Sequence, residues 1–269
     1  MTASERREKI LSLVNQTEGI KSSELAERWS VTTETIRKDL IYLDNKKLLH
    51  KFHGYVKPAT EASEHAFEFR IAEEQSSKYA IAQAAFQQLN NCAVIFIDAG
   101  STTYEFAKYL KMHIEDTPAL SSLTIITNSF SVVQALNGIK NAIYFIGGEI
   151  NMTTQSTNGF WASNELRSLH IDVAFLGSSG FSSHHGPCTK IGSDTLVKNE
   201  VIHATTKTIV LADHTKFSSN AILQYAPWSA IDLLITDNAV SKEELKLVQN
   251  LVEVLTAQWP PSLHPPLGV

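Results

Sequence analysis

Six short apolar runs, separated by segments with helical spacing, constrain the fold of this chain more than any other feature. They are "AVIFIDA" (93–99), "LTIITN" (123–128), "AIYFIGG" (142–148), "DVAFLGS" (172–178), "KTIVLAD" (207–213) and "DLLITD" (232–237). Continuous apolar runs are typical of strands buried on both faces, and helices between strands supply the crossovers that parallel pairing requires. The sequence therefore predicts a Rossmann-like α/β domain with a mainly parallel sheet.

The first 58 residues differ from the rest in both pattern and charge. They hold 11 lysines and arginines against 8 acidic residues, a net charge of +3, whereas the remainder holds 12 against 20, a net charge of −8. Their periodicity predicts three short helices and then a small β-hairpin over residues 48–58. The predicted organisation is an N-terminal domain (1–58), a linker (59–75), a larger domain (76–257) and a proline-rich disordered tail (258–269).

The third predicted helix begins in the stretch "TTETIRKDL" (32–40). Ile36, Leu40 and Leu43 follow the spacing i, i+4, i+7 and form one apolar face. A short helix, a four-residue turn and a longer basic helix make a helix-turn-helix, spanning about residues 20–39, whose second helix lies in the major groove of DNA. Periodicity and charge alone fit equally a three-helix domain whose basic helix only faces water.

The outer side of this helix and the hairpin carry groups that can contact DNA. Hydroxyl, carboxylate and basic side chains can bind base edges or phosphates, and cations on the hairpin can meet the flanking backbone as a wing does. The candidate DNA-binding residues are Thr33, Glu34, Thr35, Arg37, Lys38, Lys51 and His53.

The stretch "SSELAERWSVTTETIRKDLIYLDNKKLLHKFHG" (22–54) resembles the helix-turn-helix of the DeoR family of bacterial transcriptional regulators. The residues in step with the family pattern are Leu25, Val31, Thr35, Ile36, Arg37, Asp39, Leu40, Leu43, Leu48, His53 and Gly54. Departures are Thr32 for the usual Ser, Lys38 for Arg and Tyr55 for Gly. The resemblance implies a winged helix that binds double-stranded operator DNA, and it adds Gly54 to the candidate DNA-binding residues.

In the larger domain, "IFIDAGSTTYEF" (95–106) places a glycine and three hydroxyl side chains between a buried strand and a helix. Free N–H groups at a helix N-terminus favour an anion, although serine and threonine are also ordinary helix caps. Other loops meet at the same edge of a parallel sheet, where α/β proteins bind ligands. The candidate effector-binding residues are Asp98, Gly100, Ser101, Thr102, Thr103, Asn128, Gly148, Gly177, Asp213 and Lys216.

From about Phe69 to Val254 the chain is similar to the sensor domain of the DeoR family, which looks like ribose-5-phosphate isomerase. "DAGSTT", "TNS", "GGE", "DVAFLG", "DHTKF" and "DLLITD" carry this resemblance, which implies a phosphorylated sugar as ligand. The carboxylates of those isomerases are not matched, because the first loop reads "LGSSG" (176–180) and Lys198 falls near the later glutamate position. Lys198 joins the effector-binding set as an anion binder, and Glu200 is the nearest alternative base.

These features predict a DeoR-type repressor of a carbohydrate or polyol operon, a homo-oligomer (dimer or tetramer) released from its operator by a phosphorylated sugar. The alternatives are an isomerase-like enzyme with a DNA-binding appendage and a scaffold that only oligomerises. We expect no catalysis, no cofactor and no metal, since Cys92 and Cys188 lack ligand spacing and His184-His185 fits a solvated loop. An N-terminus without an apolar signal and the absence of an 18-residue apolar run predict a cytoplasmic protein without membrane contact.

Overall fold

The computed structural model describes residues 2–16, 20–46, 48–52, 55–58, 67–181, 185–219 and 221–258. The chain divides into two compact units, Met1–Ala72 and Glu73–Val269. His53, Gly54, His184, residues 59–66 of the predicted linker and the predicted tail from Trp259 lie outside the described residues. Within the described residues, no helix is long and apolar enough to cross a membrane.

The first unit contains the predicted helices and hairpin. Its elements are α1 (Ala3–Gln16), β1 (Ile20–Lys21), α2 (Ser22–Arg28), α3 (Thr33–Asn45), β2 (Leu49–Phe52), β3 (Tyr55–Pro58) and α4 (Phe67–Ala72). The strands form an antiparallel sheet in the order β1-β3-β2. Ile36, Leu40 and Leu43 of α3 are buried with Leu25 of α2, as the apolar spacing predicts. The helix-turn-helix and its hairpin are therefore confirmed as local structure.

Helix α4 lies within the range that the sequence assigns to a linker. Phe67 at its start is 3% exposed, and burial of this ring accounts for an ordered turn of helix at this point. The sequence does not predict α4 because six residues are too few to show a helical period.

The second unit is built on a seven-stranded sheet in which every neighbouring pair is parallel. The elements of this unit are α5 (Gln75–Phe86), β4 (Val94–Ile97), α6 (Ser101–Ile114), β5 (Thr124–Thr127), α7 (Phe130–Ala135), β6 (Ile143–Phe145), β7 (Glu149–Asn151), β8 (Ser156–Asn158), α8 (Gly159–Leu166), β9 (Ile171–Gly177), β10 (Cys188–Thr189), α9 (Gly192–Ala204), β11 (Thr205–Leu211), β12 (Leu223–Gln224), β13 (Leu233–Asp237), α10 (Lys242–Gln249) and β14 (Glu253–Ala257). The sheet order is β14-β13-β11-β9-β4-β5-β6.

Side chains of the central strands divide between two apolar cores. Along β4, Ile95 and Ile97 lie in one core and Phe96 in the other, as alternation along a strand requires. Helices therefore cover both faces of the sheet, and the α/β architecture with six predicted strands is confirmed. The seventh strand, β14, is missing from the prediction because it is a half-exposed edge strand whose residues 253–257 mix polar and apolar side chains and do not form an unbroken apolar run.

Candidate functional site

The exposed side of α3 presents Glu34, Arg37 and Lys38. Arg37 donates from Nε to Glu34 Oε2 and from Nη2 to Glu34 Oε1, both at 2.7 Å. This hydrogen-bonded pairing raises the pKa of Arg37 and lowers the pKa of Glu34. Both side chains are 54% exposed, so the pair is a pre-oriented surface feature, and the other guanidinium N–H groups of Arg37 are directed away from this carboxylate.

The start of α3 is fixed by its N-cap. The Thr32 hydroxyl accepts a hydrogen bond from the backbone N–H of Thr35 (3.2 Å) and lies 2.8 Å from the Thr35 hydroxyl. Thr33 is exposed beside them, and Lys51 is half-buried on β2. The exposed side of α3 therefore carries Glu34, Arg37 and Lys38, whereas Thr33 and Thr35, two residues apart in the helix, lie about 200° apart around its axis.

Asp39 is a residue whose role the sequence does not reveal. It belongs to α3, is 1% exposed, and accepts hydrogen bonds from Arg6 Nε (2.5 Å) and Arg7 Nε (2.8 Å) of α1. The ion pairs join α1 to α3 and so orient the exposed side of α3. The sequence signal for this role is a carboxylate next to Leu40 of the apolar face of α3, because an aspartate at a buried position is stable only when it is paired.

In the second unit, Asp98 and Lys198 form a buried ion pair where β4 ends. Asp98 Oδ2 also accepts a hydrogen bond from the backbone N–H of Gly177 (2.9 Å), and Lys198 Nζ donates to the Gly177 carbonyl (3.2 Å). Burial opposes the charge on Lys198, but Asp194 and Asp98 outweigh it and raise the pKa of this ammonium group. Lys198, predicted as an anion binder, therefore already has carboxylate partners inside the chain.

The N-terminus of α6 begins beside this ion pair. Gly100 occupies the N-cap position, and among the described residues no side chain caps the helix there. Thr103 is fully buried and donates its hydroxyl to the Gly100 carbonyl (3.0 Å), Thr102 is buried, and Ser101 is half-buried. The first N–H groups of a helix lack acceptors within the helix. An anion would satisfy them and interact favourably with the helix dipole.

The segment that follows β11 contributes a carboxylate and a lysine. Asp213 is 1% exposed and caps a short 3-10 turn by accepting a hydrogen bond from the N–H of Thr215 (3.1 Å). Lys216 Nζ lies 3.8 Å from Asp213 Oδ2, and its side chain is 27% exposed. The ends of β11, β9 and β4 are consecutive in the sheet, so Asp213 and Asp98 lie on the same edge.

Lys78 of α5 belongs to the same charged group, although it is absent from the predicted site. Burial lowers the pKa of Lys78 to about 8, Asp213 opposes this change and Lys216 adds to it. Lys78 is 3% exposed and lies among the buried alanines and isoleucine of α5, including Ala80, Ile81 and Ala82. The sequence signal that could have identified Lys78 as a site residue is a lysine on the apolar side of a predicted helix.

Two further predicted residues have structural partners. Asn128 is fully buried and donates from Nδ2 to the Thr157 carbonyl (3.0 Å), which holds β8 against the end of β5. A Cβ at Gly148 would lie 2.6 Å from the Asn158 carbonyl oxygen, so the close approach of these backbones requires glycine. Both residues shape the edge of the sheet.

The carboxylate considered as an isomerase base lies elsewhere on α9. Glu200 accepts a hydrogen bond from Arg167 Nη2 (2.9 Å). Glu200 follows Lys198 by two residues, about 200° around the helix, so it is directed away from Asp98. Within the described residues, no group of three His, Cys, Asp or Glu side chains is arranged to hold a metal ion.

Comparison with known proteins gives two family matches that together cover most of the chain. Residues 6–61 match the DeoR-like helix-turn-helix domain, and residues 73–238 match the DeoR C-terminal sensor domain. Among the similar proteins are three regulators. The transcriptional regulator GlpR of Haloferax volcanii is 28% identical over 91% of this chain and 95% of its own. The transcriptional repressor GlcR of Bacillus subtilis is 28% identical, and the match covers 96% of this chain and 98% of GlcR. The L-fucose operon activator of Haemophilus influenzae is 31% identical, and the match covers 87% of this chain and 92% of the activator.

Among solved structures, ribose-5-phosphate isomerase A from Neisseria gonorrhoeae is similar to this chain, and the match covers 58% of this chain and 57% of the isomerase. The identity is 17% and the TM-score is 0.38.

Proposed function

Because the chain belongs to the DeoR family of transcriptional regulators, we propose that it represses a carbohydrate or polyol operon and is released from its operator by a phosphorylated sugar. It is a DNA-binding regulator with a C-terminal sensor domain. The single observation that carries the effector proposal is the uncapped N-terminus of α6 on the same sheet edge as Lys216. We propose that the protein represses transcription rather than activates it; the relatives named above include both a repressor and an activator.

The proposed effector site uses the helix N-terminus for the phosphate and the lysines for charge balance. The N–H groups of Ser101, Thr102 and Thr103 bind the phosphate oxygens, because this is where α6 has unused donors. Lys216 and Lys78 offset the two negative charges of a phosphomonoester. Asp98 and Lys198, held against Gly177, keep the loop between β4 and α6 in shape.

We propose that the second unit binds its ligand without turnover. Sugar-phosphate isomerisation requires a carboxylate or comparable base beside the carbonyl carbon. The loop after β9 supplies Ser178 and Ser179 but no acid. The carboxylates at this edge of the sheet face lysines: Asp98 and Asp194 pair with Lys198, and Asp213 lies against Lys216. The isomerase alternative is not favoured, since the similar proteins are regulators of transcription.

On DNA, we propose that a homo-oligomer places one α3 helix in each of two neighbouring major grooves. Half-sites recognised in this way are related by the symmetry of the protein. Thr33, Glu34, Thr35, Arg37 and Lys38 face the bases or phosphates. Lys51, His53 and Gly54 of the hairpin are proposed to meet the flanking backbone. A 100-fold release by effector requires a coupling free energy of about 2.7 kcal/mol between the two sites.

Replacement of Arg37 and Lys38 by alanine should weaken binding to an operator selected from random DNA. We expect roughly a ten- to hundredfold loss for the double variant, because both cations of the exposed side of α3 are removed. Fluorescence anisotropy measures the affinity. The control is Lys9→Ala, an exposed lysine of α1, which should change the affinity no more than about threefold. Unchanged affinity of the double variant would show that another face reads DNA.

Affinity for the effector should depend on pH through Lys78. Its pKa of about 8 means that the ammonium form is lost between pH 7 and pH 9, whereas a phosphomonoester is already dianionic at both values. Anion binding favours the protonated lysine, so affinity should fall about tenfold over this range. Calorimetric titration with phosphorylated sugars checks this, and Lys78→Arg, which keeps its charge, should lose the pH dependence. An equal dependence in wild type and Lys78→Arg would remove Lys78 from the site.

The proposed site as a whole is tested by thermal shift with a panel of phosphorylated sugars and their unphosphorylated forms. Binding stabilises the folded protein by mass action, so an effector at 100 times its Kd should add about 2.7 kcal/mol. Lys216→Ala should reduce this shift, whereas Lys140→Ala, an exposed lysine before β6, should leave it intact. Absence of any shift with the whole panel would refute the sensor proposal.

A further inference from the structure

One edge of the seven-stranded sheet carries an exposed apolar surface that neither the DNA-binding side of α3 nor the effector site uses. Half of the exposed large apolar side chains in the described part of the second unit fall within 18 residues of sequence. We call them the apolar face; they are Tyr144 (62% exposed), Phe145 (38%), Ile150 (60%), Met152 (77%), Phe160 (67%) and Trp161 (75%).

The parts of the apolar face adjoin one another in the fold. The ring of Phe145 on β6 stacks on Phe130 with 5.0 Å between centroids. The N–H of Phe130 donates to the carbonyl of Gln155 (2.8 Å) in the turn between β7 and β8. Phe160 and Trp161, at the start of α8, line an open cleft of about 370 Å³ together with Glu149 of β7. The edge strand, the hairpin and the start of α8 therefore adjoin along one edge of the sheet, with Tyr144 and Phe145 projecting from opposite faces of β6.

The composition of this segment is that of the centre of a protein–protein interface. Between Lys140 and Glu165 the only charged residue is Glu149. Interface centres are enriched in tyrosine, tryptophan, phenylalanine and methionine and depleted of charge. Six side chains of this size with these exposures present roughly 700 Å² of apolar surface. The largest apolar patch on a typical monomer is about 300–600 Å².

The opposite edge of the sheet shows what a protected edge looks like in this protein. There, Leu247, Leu251 and Leu255 are exposed, but Lys246 adjoins Leu247, Glu253 lies between Leu251 and Leu255 in sequence, and α10 carries further charges. Charges are a usual means of preventing contact at an edge strand. Among the described residues, β6 pairs only with β5 and its outward side carries no such charge.

We propose that the apolar face is the surface through which two copies of this chain associate, with the β6 edges next to each other about a two-fold axis. This interface proposal rests on the proposed function, because a helix-turn-helix protein that reads two half-sites needs two copies of the chain. The exposed apolar area is close to the roughly 800 Å² that each partner contributes to a standard stable interface. DNA is a poor occupant, since residues 141–164 hold no lysine or arginine and residues 59–269 carry a net charge of −8.

The test compares two sets of exposed positions by sedimentation velocity at low micromolar concentration. Ile150→Glu combined with Trp161→Glu places two carboxylates in the apolar face, and the double variant should associate about 100-fold more weakly than wild type. The matched control is Leu247→Glu, a 52% exposed leucine at the opposite edge, which should associate as wild type does. Urea unfolding of all three proteins verifies that folding is unchanged.

The outcomes separate the interface from the proposed function. Three results would each overturn the apolar face as the interface, irrespective of how the proteins bind DNA. They are a monomeric wild type, a double variant that still associates, and dissociation caused by Leu247→Glu. If the double variant dissociates while no protein responds to phosphorylated sugars, the interface is supported and the effector proposal fails. The double variant should keep its thermal shift with a phosphorylated sugar, because the α6 site lies within one chain.

Discussion

Replacement of Asp39 by asparagine should destabilise the first unit by about 3–5 kcal/mol, because the change leaves Arg6 and Arg7 without the carboxylate that neutralises them. Arg6 is 9% exposed and Asp39 is 1% exposed, so water cannot replace the lost partner. A unit of this size has only about 3–10 kcal/mol of total stability. The variant should therefore be largely unfolded in its N-terminal unit at temperatures where the wild type is folded.

Urea denaturation followed by circular dichroism measures this effect. The matched control is Asp44→Asn on the same helix, because Asp44 is half-exposed and lies 3.9 Å from Nδ1 of His50; its cost should be below about 1 kcal/mol. Operator binding by Asp39→Asn should be lost together with the fold of α3, whereas ligand binding by the second unit should persist. Equal stabilities of the two variants would show that the buried ion pairs do not hold α1 to α3.

Replacement of Lys198 by methionine should destabilise the second unit by a similar amount, about 3–5 kcal/mol at neutral pH. The change leaves the fully buried carboxylate of Asp98 without its cation. Burial already raises the pKa of Asp98, and Lys198 opposes that rise, so the loss of the lysine should raise the pKa of Asp98 in the folded variant further. A group with a raised folded pKa stabilises at low pH and loses that contribution as pH rises, so the defect should be smallest in acid.

Two further variants test this explanation in the same urea experiment. Asp98→Asn combined with Lys198→Met removes both charges and should recover much of the lost stability, because no buried charge remains. Lys190→Met replaces an exposed lysine just before α9 and should change stability by less than about 0.5 kcal/mol. A Lys198→Met defect that does not depend on pH and is not relieved by Asp98→Asn would indicate lost packing of the lysine chain alone.

The elements that the sequence predicts well are those with a strong period or a long apolar run. Ile36, Leu40 and Leu43 place α3, and the six apolar runs place the central strands, because burial on both faces leaves an unbroken apolar pattern. The edge strand β14 escapes this criterion because one side faces water. Helix α4 escapes because six residues span less than two turns, so its period cannot be read.

The site residues differ in whether the local sequence is enough to identify them. Gly100, Ser101 and Thr103 are recognisable because they follow a buried strand and open a helix, a local pattern that needs no tertiary information. The pairing of Asp98 with Lys198 joins residues 100 positions apart, and no local rule predicts which distant lysine neutralises a buried carboxylate. Asp39 and Lys78 each lie on a mostly apolar helix side, and their charges become interpretable only when α1 or the turn after β11 is placed against them.

The most direct test of a repressor released by a phosphorylated sugar is the affinity for a selected operator, measured by fluorescence anisotropy, while phosphorylated sugars are added. The prediction is that one phosphorylated sugar weakens operator binding by wild type about 100-fold, a coupling of about 2.7 kcal/mol, and that its unphosphorylated form does not. Lys216→Ala should bind the operator normally and respond far less to the same sugar. An operator affinity that no phosphorylated sugar changes, or a response that Lys216→Ala retains in full, would contradict this account.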